Sequence, residues 1–138
     1  MNSSLVLLIA LVIFLFVVYI VLSVTGSGGA AEWKIIVKNK SNKIRKDLRS
    51  NHSSDLERAL IGADKLLDFA LRHKGIKGNT LGERLKNAEN HFEKKFYNSI
   101  WDAHKLRNKL VHEVDATLTV YQLRSKAKNL VLAAEKLV

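Results

Sequence analysis

Cysteine and proline are both absent from this 138-residue chain. Without thiols there is no disulfide framework, no cysteine-ligated zinc site and no thiolate nucleophile, and a reducing compartment suits such a sequence. Without proline, nothing in the chain forces a helix to break at a missing N–H. No lysine or arginine precedes Lys34. Several motifs are missing as well. Lys77-Gly78-Asn79-Thr80 lacks the spacing of a phosphate-binding loop and supplies only a turn before a helix cap. No Ser/His/Asp or Cys/His nucleophile set is present, and neither is an internal repeat or a long low-complexity segment.

What is there begins with a hydrophobic run. From Leu5 to Val24 only Tyr19 and Ser23 carry polar side-chain atoms. Twenty residues at helical rise reach about 30 Å, the thickness of a bilayer's hydrocarbon core. A cleaved signal peptide fits less well, because Met1-Asn2-Ser3-Ser4 has no cation and the run exceeds the usual apolar region, although the small residues Thr25 to Ala31 offer a peptidase some purchase. Residues 1–25 are therefore expected to be an uncleaved, single-pass transmembrane anchor in a lipid bilayer. The cations Lys34, Lys38, Lys40, Lys43, Arg45, Lys46 and Arg49 follow it closely. By the positive-inside rule the N-terminus lies outside and the C-terminal domain is cytoplasmic.

The formal net charge is +10. Residues 32–49 hold seven basic and two acidic side chains, half of that excess, beside the membrane. Attraction to anionic lipid head groups is the expected use of this juxtamembrane segment, with RNA contact a lesser one. The rest of the excess is spread over residues 50–138, compatible with RNA but no footprint of it.

Thr25-Gly26-Ser27-Gly28-Gly29 reads as a flexible linker, so residues 26–49 are expected to comprise that linker and a basic juxtamembrane helix. Residues 50–138 suffice for one compact domain with one core. Apolar residues recur there at helical spacing, predicting an all-α domain. The first helix covers Glu32 to Arg49, with Trp33, Ile36, Val37, Ile44 and Leu48 on one side. The second opens on a capping box, Ser54 with Glu57, buries Leu56, Leu60, Ala63, Leu67, Ala70 and Leu71, and stops at Gly75. A short third helix starts at the Thr80 cap and ends near Asn90. The fourth runs from Lys94 to Glu113. The fifth follows the Thr119–Gln122 cap and turns Leu123, Ala127, Leu130, Val131, Ala134 and Leu137 inward. Short connections between antiparallel neighbours predict an up-and-down bundle of four to five helices.

The fourth helix carries the chemistry, in Trp101-Asp102-Ala103-His104-Lys105-Leu106-Arg107-Asn108-Lys109-Leu110-Val111-His112-Glu113. A cation can hold a phosphate, an amide can orient it, and an imidazole can move a proton near neutral pH. Arg107, Asn108 and His112 resemble the R-x4-6-H signature of the HEPN superfamily of small helical domains. The stretches Ala63–Leu71 and Gly75–Gly78 resemble it more loosely, and the likeness spans residues 50–138. It implies a HEPN-like bundle that acts as a homodimer, with two motif helices meeting at a shared cleft, and a metal-independent endoribonuclease needing no cofactor. In that reading Arg107 stabilises the phosphorane-like transition state, Asn108 orients the phosphate or His112, and His112 transfers the proton. One departure is Glu113-Val114 after His112, where the HEPN toxins paired with nucleotidyltransferases continue H-x-Y.

Helical phase qualifies the motif. Phe96, Ile100, Ala103, Leu110 and Val114 form an apolar stripe with Arg107 in its middle. A cation so placed needs a partner, either an anionic ligand or a structural carboxylate, for which Asp64 and Asp68 are the candidates. His104, Asn108 and His112 form a second stripe, and Arg107 and His112 stand about 140° apart on an ideal helix. The plain alternatives are a helix-capping role for His112 and a solvated or interface role for Asn108. His104 and His112 without a placed carboxylate make a poor zinc site. The competing function is a non-catalytic, membrane-anchored dimerisation or adaptor module with a structural Arg/His motif.

Overall fold

The computed structural model describes residues 2–113 and 116–138, and leaves aside the side chains of 24–28, 30 and 31. The chain is all-α: α1 spans Ser3–Asp47, α2 Ser53–His73, α3 Leu81–Asn87, α4 Lys94–His112 and α5 Val120–Lys136, with a 3-10 turn at Glu89–His91. Two compact units divide between Trp33 and Lys34.

In the first unit, Ser3–Ser23 is long and apolar enough to cross a membrane, and its side chains are exposed. Ser23 Oγ donates to the Tyr19 carbonyl one turn back at 2.8 Å, which satisfies a hydroxyl that hydrocarbon would otherwise leave unpaired. The helix does not break at Thr25–Gly29: helical backbone continues through the expected linker to Asp47. Glycine in a helix costs only about 1 kcal/mol relative to alanine, and with no proline to stop it a helix extends from both flanks.

In the second unit the four long helices alternate in direction. Arg124, early in α5, donates to the carbonyls of Leu48 (2.9 Å) and Ser50 (3.0 Å), so α5 starts beside the end of α1. Lys74, just after α2, donates to the Leu137 carbonyl at 3.0 Å, and Lys136 lies 5.5 Å over the Phe96 ring at the start of α4. The ends of α2 and α5 and the start of α4 therefore share one pole of an up-and-down bundle. Arg124 also occupies carbonyls that a helix end cannot satisfy internally.

The core is made chiefly by α2 against α5, with α4 on α5. Leu56, Leu60, Ala63, Leu67, Ala70 and Leu71 of α2, and Leu123, Ala127, Leu130, Val131 and Ala134 of α5, are all sealed from solvent. Each buried leucine contributes about 1.5–3 kcal/mol. Val37 and Ile44 bring α1 onto this core, Ile44 lying over Gly62, while Ile36 and Leu48 stay half-buried. On α4, Ile100 and Ala103 are buried but Phe96 and Leu110 only partly so, and Val114 lies outside the described residues.

Two caps form as their sequences predict. Thr119 and Gln122 make a reciprocal capping box, and Thr80 Oγ1 accepts from Glu83 N at 3.2 Å. The Ser54–Glu57 box does not form. Instead α2 begins at Ser53, with His52 at the cap making no side-chain cap bond. Ser50 explains the shift: its hydroxyl accepts from His52 N (3.1 Å) and donates to Asp55 (2.7 Å), ordering the turn before Ser54 can act. At the other end Gly75 takes φ +86, with Ile76 N bonded to Leu71 O and Gly75 N to Arg72 O, a Schellman closure.

Candidate functional site

The residues one and two turns into the second half of α4 decide the site. His104, Arg107 and Asn108 are spaced i, i+3 and i+4, so their side chains leave the helix on one side and can meet one group on a neighbouring helix. That group is Asp64 of α2, whose side chain is only 6% exposed. Its Oδ1 lies 2.8 Å from His104 Nδ1, and its Oδ2 lies 3.3 Å from Arg107 Nε. The Arg107 contact is an ion pair without hydrogen-bond alignment, leaving the buried Nε–H unbonded. Arg107 Nη1 donates to Asn108 Oδ1 at 3.0 Å, and Asn108 Nδ2 is 3.3 Å from His104 Nε2.

These four contacts close on themselves as Asp64–His104–Asn108–Arg107–Asp64. The carboxylate and the amide oxygen can only accept, so the Asn108 nitrogen donates to His104 Nε2 and His104 Nδ1 donates to Asp64. That arrangement places a His104 proton on Nδ1, facing Asp64. Trp101 stands edge-on to the His104 ring at 6.0 Å. His104 is 11% exposed and Arg107 20%, so the ring is shielded without being sealed.

Asp68, one turn along α2, is taken by other partners. Arg84 Nε donates to it at 2.8 Å and Arg72 Nε lies 3.4 Å away. Arg84, buried, also donates to the carbonyls of Gly78 and Asn79. It thereby ties the α2–α3 connection to the bundle. Gly78 makes this possible: it adopts φ +147, and a Cβ there would stand 2.7 Å from the Arg84 backbone nitrogen.

Beside the ring opens a cleft of about 680 Å³, walled by α1, α2, the start of α3 and α4. Lys40, Lys65, Arg72, Arg84 and Arg107 line it together with the two aspartates, an excess of +3 from these seven groups. Phe69 contributes an aromatic surface, with Lys40 Nζ 5.4 Å from its ring and the His73 ring tilted against it at 4.2 Å. Among the described residues, no group of three or more histidines and carboxylates is arranged to hold a metal ion.

Of the residues that the sequence points to, Arg107 and Asn108 are in contact with one another, and both line the cleft. His112 is not with them: it is the exposed last residue of α4, one turn beyond Asn108. The histidine beside Arg107 and Asn108 is His104. Asp64, not Asp68, is the carboxylate that meets Arg107. Sequence reasoning assigned Lys40 to the juxtamembrane run beside lipid and missed the cations Lys65, Arg72 and Arg84. The four-residue spacing of Asp64, Asp68 and Arg72 was a readable signal for a charged flank on α2. Arg84 had none, since its partners are turn carbonyls and Asp68, sixteen residues away on another helix. Comparison of the chain with protein-family models, curated proteins and solved structures finds no match.

Proposed function

We propose that this protein is a membrane-anchored, non-catalytic helical module, serving dimerisation or an adaptor role, in which the Arg107 motif holds the bundle together. The observation that carries this reading is that Asp64 engages both Arg107 and His104 within one protomer. A guanidinium occupied by a buried carboxylate and by Asn108 is architecture: it clamps α4 onto α2. In this reading the bundle is HEPN-like, with its Arg-x4-His residues put to structural use. Ser3–Ser23 is the anchor, and the cations after it put the bundle on the cytoplasmic face, beside anionic head groups. Confinement to two dimensions raises the effective concentration of copies, which suits a homodimer.

Metal-independent RNA cleavage is the second reading, favoured by Arg107 standing at the wall of an open cleft. Within one protomer its proton carrier would be His104, not His112, because only His104 lies beside Arg107 and Asn108. Incubating the full-length protein in detergent with single-stranded RNA and EDTA separates the two. The adaptor reading expects intact RNA with the parent, Arg107→Ala, His104→Ala and His112→Ala proteins, with Arg107→Ala losing thermal stability and His112→Ala keeping it. Cleavage by the parent protein that disappears in a folded His104→Ala or His112→Ala variant would overturn it and would identify the histidine concerned.

A further inference from the structure

The clamp does not account for the cleft beside it. Five cations converge there on two carboxylates, and the carboxylates are shared: Asp68 serves both Arg84 and Arg72, and Asp64 serves Arg107 and His104. Among the described residues neither Lys65 nor Lys40 has a carboxylate within ion-pair distance, and Lys40 lies over the face of Phe69. Gathering like charges in one concavity raises their mutual repulsion, which an incoming anion relieves. Among the described residues Arg72 is held by its Nε contact with Asp68 alone, so its remaining guanidinium donors suit oxygens arranged in a plane or fork.

We propose that this cleft is a binding site for a small molecule carrying a diphosphate or two phosphate groups, held by Lys40, Lys65 and Arg72. Charge selects the ligand class: an excess of +3 matches a group with two to three negative charges better than a carboxylate does. Size selects further. A cleft of about 680 Å³ falls in the range that encloses a whole organic ligand, about 300–1,000 Å³, and exceeds what a lone phosphate fills. Shape argues for a small molecule over a strand, because residues of four elements converge on one opening, whereas a nucleic acid needs a basic track to run along. Phe69 adds apolar surface for the organic part. Arg84 and Arg107 hold the walls, bound to aspartates, and set the field without having to move. The site does not rest on the clamp reading, since RNA cleavage and ligand binding are measured separately.

Calorimetric titration of the full-length protein in detergent micelles with pyrophosphate tests this, with orthophosphate and sulfate run alongside. Saturable binding is expected for pyrophosphate, with orthophosphate and sulfate weaker. The double variant Lys40→Ala/Lys65→Ala should weaken pyrophosphate by about tenfold or more. Lys126→Ala/Lys128→Ala on α5, outside the cleft, should not. Phosphatidylcholine vesicles with and without a polyprenyl diphosphate distinguish a lipid diphosphate from a soluble one. Displacement of pyrophosphate by the diphosphate lipid alone assigns the site to lipid, and displacement by a soluble bisphosphate assigns it to a metabolite. No saturable binding, equal binding of sulfate, or an unchanged affinity in the Lys40/Lys65 variant overturns the proposal. So does an oligoribonucleotide that binds more tightly than pyrophosphate through the same lysines.

Discussion

Asp64→Ala removes the carboxylate to which both Arg107 and His104 are tied. Arg107 would then keep four-fifths of its side chain covered with no carboxylate beside it, and the His104 Nδ1 proton would lose its acceptor. Breaking a buried pair by deleting one partner costs about 3–5 kcal/mol, most of it the stranded charge. Because Arg107 is 20% exposed, water relieves part of this, and the lower end, about 3 kcal/mol, applies. At about 4 °C per kcal/mol for a domain of this size, the unfolding midpoint should fall by about 12 °C. Circular dichroism at 222 nm during heating of the full-length protein in detergent reads this, since the anchor helix stays folded in the micelle. Asp64→Asn keeps an acceptor for His104 and loses only the charge, so it should fall between the two. In Asp64→Ala/Arg107→Ala the stranded cation is gone, and the double change should cost less than the sum of the single ones. A drop smaller than about 4 °C for Asp64→Ala, or simple additivity in the double variant, would refute the view that the ring clamps α2 to α4.

Two further outcomes follow from local geometry. Gly78→Ala should destabilise the bundle by about 1–3 kcal/mol in chemical denaturation, because it forces a Cβ against the Arg84 backbone at a φ that alanine avoids; an unchanged midpoint would show that the turn relaxes freely. Asp55 is held below its ordinary value near 3.8, first by the Ser50 hydroxyl and then by Arg58, so the unfolded chain takes up its proton before the folded one does. Its contribution is thus complete above about pH 4 and fades as pH falls through the lowered folded value, and Ser50→Ala should flatten that acid limb of a stability-versus-pH curve.

Much of the fold was legible because burial repeats with the helix. Leu56, Leu60, Ala63, Leu67 and Leu71 mark one face of α2 by spacing alone, and every one is sealed in the core. The Thr119–Gln122 cap was equally plain, since a capping box involves only residues three apart. Ser54–Glu57 has the same pattern and no such role, because Ser50, outside that window, orders the turn through Asp55 and His52. The Thr25–Gly29 stretch misled in the same way: glycine content suggests a break, but the helices on either side extend through it.

The site divides along the same line. Placing Arg107 on the apolar stripe of α4, in need of a partner, required only 100° per residue, and the mismatch between Arg107 and His112 followed from the same rotation. Which carboxylate met the arginine depended on the register of α2 against α4, a matter of core packing that no local pattern encodes. That register put Asp64 opposite His104 and Arg107, left His112 one turn beyond them in solvent, and gave Asp68 to Arg84. The cleft is a still more distant product, since its cations come from α1, α2, α3 and α4 and share no sequence spacing. Periodicity along one helix thus settles which side chains face inward. Only the docking of separate helices settles which of them meet, because contact between residues forty positions apart is decided by how their cores interlock.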